Sequence, residues 1–112
     1  MDLKLTGKLA LISGSTKGIG FASAELLAAE GCRVIINGRT DAAVEEAIGR
    51  IRTTAPKADV QGYAGDLATA GGVTGLVQRF PNVDILINNV GIFESSSNAP
   101  WRSILPSAIS RW

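Results

Sequence analysis

The sequence predicts an α/β fold built as a doubly wound parallel sheet of about four strands. Three observations predict it. The apolar run Leu9–Ile12 breaks into a glycine-punctuated loop and then a helical pattern; strand-like and helix-like stretches alternate β-α-β-α-β-α-β from Lys8 to Asn88; and the strands close in glycine or polar residues. Right-handed crossovers put helices on both faces of such a sheet. Ligands then sit at the carboxyl ends of the strands, where the strand order reverses.

Taken in order, Lys8 to Ser13 reads as a strand covered on both faces, because its apolar residues are continuous. The loop that follows carries glycines at 14, 18 and 20, which bare the backbone N–H groups at the positive end of the next helix. Read alone, it serves a tight turn as well as a pyrophosphate. It is not a phosphoryl-transfer loop, since Lys17 precedes Gly18 instead of following it. From Ile19 to Glu30 the spacing of Ile19, Ala22, Leu26 and Ala29 predicts a helix with one apolar stripe, ended by Gly31. Arg33 to Asn37 is a β-branched strand stopping at Gly38.

Thr40 or Asp41 caps the next helix, whose apolar residues Val44, Ala47, Ile48 and Ile51 fall at i, i+3, i+4 and i+7. A third strand spans Val60 to Ala64 and ends at Gly65-Asp66-Leu67. Residues 69 to 80 form a helix with Val73, Leu76, Val77 and Phe80 inward, although Gly71, Gly72 and Gly75 each cost about 1 kcal/mol against alanine. Val83 to Asn88 is the fourth strand, closing in Asn88-Asn89-Val90-Gly91.

Composition narrows the function classes. At 112 residues, 46% hydrophobic and 19% charged, the chain is one small core-forming domain. A net charge of +1 and scattered Lys and Arg point to no nucleic-acid partner. Cys32 is the single cysteine and histidine is absent, which leaves no disulfide framework, thiolate metal cluster, zinc site or His-based triad, and no metal is expected. Neither a membrane-length apolar run nor a leader pattern occurs at the start, so no membrane partner and a cytoplasmic location are expected.

Together, Ser13-Gly14-Ser15-Thr16-Lys17-Gly18-Ile19-Gly20, Asp66-Leu67 and Asn88-Asn89-Val90-Gly91 resemble the amino-terminal, cofactor-binding portion of a short-chain dehydrogenase/reductase. In that family the loop reads T-G-x-x-x-G-I-G, the acidic pair follows the third strand and the turn reads Asn-Asn-Ala-Gly. The chain differs by Ser13 for Thr and Val90 for Ala. The resemblance implies a Rossmann-like domain over residues 1–93, truncated relative to the family; residues 94–112 read as an irregular tail without family resemblance, with Ser95 to Ser97, Pro100 and Pro106 marking loop or disorder. It implies a nicotinamide dinucleotide held by Gly14, Ser15, Lys17, Gly18, Ile19, Gly20, Arg39, Asp66, Leu67, Asn88 and Gly91, with Asp66-Leu67 at the adenine ring.

NADP is expected in preference to NAD. Members that bind NAD place a carboxylate after the second strand to hold the ribose 2′-OH, whereas Gly38 stands there, followed by Arg39. Arg39 and Lys17 can both meet a 2′-phosphate. As alternatives, these two are ordinary solvated charges, Asp66 is a helix cap or turn former for the segment after it, and the asparagines only end a strand.

The family's catalytic Tyr-x-x-x-Lys pair and upstream Ser cannot be assigned. The one tyrosine is Tyr63, with Leu67 four places on, and no lysine follows Lys57. Hydride transfer between NADP(H) and a carbonyl or alcohol is therefore the ancestral activity, and the chain alone is expected to lack turnover. A non-catalytic nucleotide-binding or interaction module, or a fragment that binds nothing, are the competing readings. The fourth strand is expected to leave an open edge, available to a homo-oligomer, to aggregation or to the tail.

Overall fold

A computed structural model of the chain describes residues 5–67, 69–88 and 91–94. The elements run β1 (Leu9–Ile12), α1 (Gly18–Ala29), β2 (Arg33–Gly38), α2 (Asp41–Thr54), β3 (Val60–Ala64), α3 (Ala70–Arg79), β4 (Ile85–Asn88) and β5 (Gly91–Glu94). The first seven are the elements expected from the sequence, with ends shifted by one or two residues. Asn89, Val90 and the tail beyond Glu94 lie outside the described residues.

The strands lie in the order β3-β2-β1-β4-β5. β1 to β4 are parallel, with Ile12 paired to Ile36 on one side and to Ile87 on the other. From β1 the chain steps outward through β2 to β3, then returns across β1 to β4. The order therefore reverses between β1 and β4, and β1 is buried along its whole length, as its unbroken apolar sequence requires.

Alternate strand residues feed two cores. Ala10, Ile12, Val34, Ile36 and Val60 pack under α1 and α2, while Leu9, Leu11, Ile35 and Leu86 pack under α3. Val44, Ala47, Ile48 and Ile51 form the buried face of α2, as their spacing predicts. Leu76 of α3 and Phe80, its C-cap, are buried, with Val73 and Val77 packed partly against the same core. Gly75 of α3 answers a packing need, whereas a Cβ on Gly71 would meet nothing. A Cβ on Gly75 would stand 2.6 Å from the Tyr63 hydroxyl, and that hydroxyl donates to Gly72 O at 2.6 Å. Lost helix propensity at Gly75 is set against close approach of α3 to β3.

Two expectations are corrected. The apolar stripe of α1 is not the one that faces the sheet: Gly20, Phe21, Ala24 and Ala28 are buried, whereas Ile19 is 84% and Leu26 60% exposed, with Ala22 and Ala29 outward beside them. The helix is apolar nearly all round, so spacing alone could not choose a face; Gly20, Ala24 and Ala28 let the helix lie close to β1, and Phe21 packs into the core beside them. The second correction concerns the edge. β4 is not open, since β5 pairs with it antiparallel, Ile85 opposite Glu94 and Asn88 opposite Gly91.

Candidate functional site

Three loops leave the carboxyl ends of β1, β2 and β3 and enclose a cleft of about 550 Å³. Its lining includes Gly14, Thr16 and Lys17 from the first loop, Asn37 to Thr40 from the second, and Gly65 to Leu67 from the third.

The first loop owes its path to its glycines. Gly14 and Gly18 have φ of +54° and +60°, in the left-handed region that other residues seldom adopt. Gly20 is required for a different reason, because a Cβ there would lie 2.7 Å from the Gly14 carbonyl oxygen. This contact folds the start of α1 back onto the end of β1.

At that start the helix is uncapped. Lys17 occupies the N-cap with no side-chain hydrogen bond, and no acidic residue lies in the first turn. By contrast, the Thr40 and Thr69 hydroxyls accept from Ala43 N and Gly72 N at the starts of α2 and α3. Phe21 N donates to Lys17 O, so the N–H groups of Gly18, Ile19 and Gly20 precede the first helical bond. Unpaired donors and the positive end of the helix dipole together favour an anion.

Asn37 was not singled out by the sequence, yet it ties the three loops together. Its Oδ1 accepts from Gly14 N at 3.1 Å, and its Nδ2 donates to Tyr63 O and Gly65 O at 3.1 and 3.2 Å. Its backbone N donates to Ser15 Oγ at 2.8 Å and its carbonyl accepts from Ser15 N at 2.8 Å. Ser15 Oγ in turn donates to Ile12 O at 2.7 Å. Asn37 is 4% exposed and Ser15 is fully buried; among the described residues no buried side-chain polar atom lacks a partner. The available signal was a polar residue between Ile36 and Gly38, where a buried strand would ordinarily be apolar.

The predicted site residues divide by position. Gly14, Lys17, Arg39, Asp66 and Leu67 line the cleft together, with Lys17 and Arg39 both exposed. Leu67 is also 2% exposed and belongs to the core beneath α3. Ser15 lies under the loop, its hydroxyl engaged within it. Gly18 and Ile19 are exposed at the head of α1, next to the cleft and outside its lining. Asn88 ends β4, and Gly91 begins β5 opposite it. This strand end is joined to the glycine loop by Ser13 N donating to Ile87 O at 2.9 Å. Thr69 is the N-cap of α3, and Asp66 forms the turn that leads into it. The Asp66 carbonyl accepts from Thr69 N and Thr69 Oγ1.

Among the described residues there is no cluster of metal-ligating side chains, and no helix is long and apolar enough to cross a membrane.

Comparison with known proteins agrees with this geometry. The oxidoreductase YvaG of Bacillus subtilis (strain 168) is 50% identical over 94 residues, covering 84% of this chain and 36% of that protein. YvrD of the same organism, also an oxidoreductase, is 39% identical over 97 residues, again 84% of this chain and 36% of the relative. The chain thus spans about a third of the length of these curated relatives. Among solved structures, L-sorbose reductase from Gluconobacter frateurii, complexed with NADPH and L-sorbose, superposes with a TM-score of 0.75 at 30% identity, over 99% of this chain and 48% of that one. The sequence profile described as short chain dehydrogenase matches residues 8–110, and with the reversal between β1 and β4 and the glycine-shaped loop at that reversal, the chain belongs to the short chain dehydrogenase family.

Proposed function

We propose that this chain is the cofactor-holding portion of an NADP(H)-dependent oxidoreductase. One observation carries the reading: Lys17 and Arg39 line a single cleft beside an uncapped helix start, with Gly38, a residue without a side chain, where a carboxylate would select NAD. NADPH in the L-sorbose reductase complex supports the same choice.

The residues present suit a dinucleotide. Free N–H groups at Gly18 to Gly20 donate to the pyrophosphate oxygens, and the left-handed glycines hold the loop clear of them. Arg39 and Lys17 neutralise a 2′-phosphate, and Asp66 with Leu67 borders the adenine. Ile19, outward at the head of α1, and the β4 end at Asn88 and Gly91 flank the nicotinamide half. When bound, the dinucleotide supplies or accepts a hydride. A carbonyl or alcohol is the complementary substrate class.

By itself the chain binds and orients without turning over. Tyr63 is its one tyrosine, and the hydroxyl is engaged with Gly72 O on the α3 side of the sheet. No lysine stands four places after it. General acid–base work on the substrate therefore falls to residues that this chain does not supply. Its setting is the cytoplasm, in keeping with one buried, unpaired thiol.

The test is a titration of NADPH and NADH against the unmodified chain and R39A, read by calorimetry or by melting temperature. A charge-assisted contact is worth about 1.5–3 kcal/mol, so R39A should weaken NADPH binding roughly ten- to hundredfold and leave NADH within about twofold. Equal losses for the two dinucleotides would sink the assignment.

A further inference from the structure

Thr16 stands directly over Gly38. A Cβ built on Gly38 would lie 2.6 Å from Thr16 Cγ2 and 3.2 Å from Val44 Cγ2. Gly38 is not among the glycines with positive φ, so space alone, and not backbone conformation, keeps position 38 without a side chain.

Nor can Thr16 easily move aside. Its neighbour Ser15 is held by Asn37 N, Asn37 O and Ile12 O, and Lys17 on its other side is the N-cap of α1. With the backbone fixed on both sides, relief must come from rotation about χ1. Threonine carries two heavy γ atoms, so only one of its three staggered wells turns a hydrogen toward Gly38. In the observed well Oγ1 is already 3.7 Å from the same point.

We propose that Thr16 is a second specificity-determining residue of the cofactor cleft: by filling the space above Gly38, it bars the acidic side chain that would select NAD, so positions 16 and 38 determine cofactor choice as a pair. The inference rests on the NADP reading above, but the contact itself is independent of any ligand. Serine at position 16 would leave two of three wells clear and remove the closest contact while keeping a hydroxyl, with only the Val44 contact at 3.2 Å remaining.

Two measurements test it on the full chain. In thermal melts G38A should lower the melting temperature by about 4–8 °C, and G38A/T16S should recover most of that loss relative to T16S alone. Equal losses with and without T16S would show that the two side chains do not compete, and the proposal would fail. In NADH titrations G38D should gain little, whereas G38D/T16S should gain about tenfold through a carboxylate facing the ribose 2′-OH. A full gain from G38D alone, or none from a double variant that melts normally, overturns the pairing. If the unmodified chain binds NADPH and NADH equally, the Arg39 assignment fails instead, and the melting cycle still decides whether Thr16 bars position 38.

Discussion

Cys32 shows how a single side chain can be reactive by type and inert by place. It is 2% exposed, beneath the end of α1, with Sγ donating to Leu5 O at 3.4 Å. Burial pushes its thiol pKa up, Glu30 adds to the rise, and Lys8 opposes it. The thiol form is thus favoured in the fold. Its stabilising share is complete below the unfolded thiol's pKa and is lost as pH climbs through the folded one. Urea midpoints should therefore fall on the alkaline side of about pH 8.5, and less so for C32A, while native alkylation at pH 7 stays slow. Rapid alkylation without denaturant would contradict this placement. The role of Asn37 was not legible in the sequence, because its partners lie 22 to 28 positions away and no local pattern reports them.

Among the elements, α2 and α1 mark the limits of periodicity. α2 alternates apolar and charged residues, so only one face can be buried, and Val44, Ala47, Ile48 and Ile51 are on it. α1 offers apolar residues on every side, and Ile19 and Leu26 lie outward while Phe21 is buried. Its packed face is set by contacts absent from helix spacing: Gly20 against the Gly14 carbonyl, and Phe21 beneath the Arg50 guanidinium at 4.1 Å. The consequence inverts ordinary expectation for a leucine and an alanine. A24L should destabilise by about 1–3 kcal/mol through overpacking against the sheet, and L26A should stay within about 0.5 kcal/mol of the unmodified chain. Urea denaturation of the two variants decides it, and the reverse ranking would restore the Ile19–Leu26 stripe as the buried one.

For the whole molecule, the architecture was legible because strand and helix alternation, right-handed crossovers and the glycine loop all point to one topology. Four parallel strands and three helices follow from that. β5 did not, since Gly91 and Glu94 carry no strand signal and the pairing depends on the adjacent β4 edge. The cleft was partly legible. Lys17, Arg39 and Asp66 were found through their places at strand ends, whereas the contact of Thr16 with Gly38 exists only once β1 and β2 are side by side.

The bonds from Gly14 N and Ser15 N into Asn37 have a consequence in time as well as in shape. Those two amides should exchange with deuterium only when the sheet itself opens, while Gly18 and Ile19, ahead of the first helical bond, exchange quickly. Mass spectrometry or NMR of the chain without ligand would resolve the two rates, and equally fast exchange at all four positions would contradict the network. A loop protected in this way meets its ligand already in one conformation, so little ordering entropy remains to oppose association. Binding should then proceed in a single kinetic phase, with no slow closure after encounter.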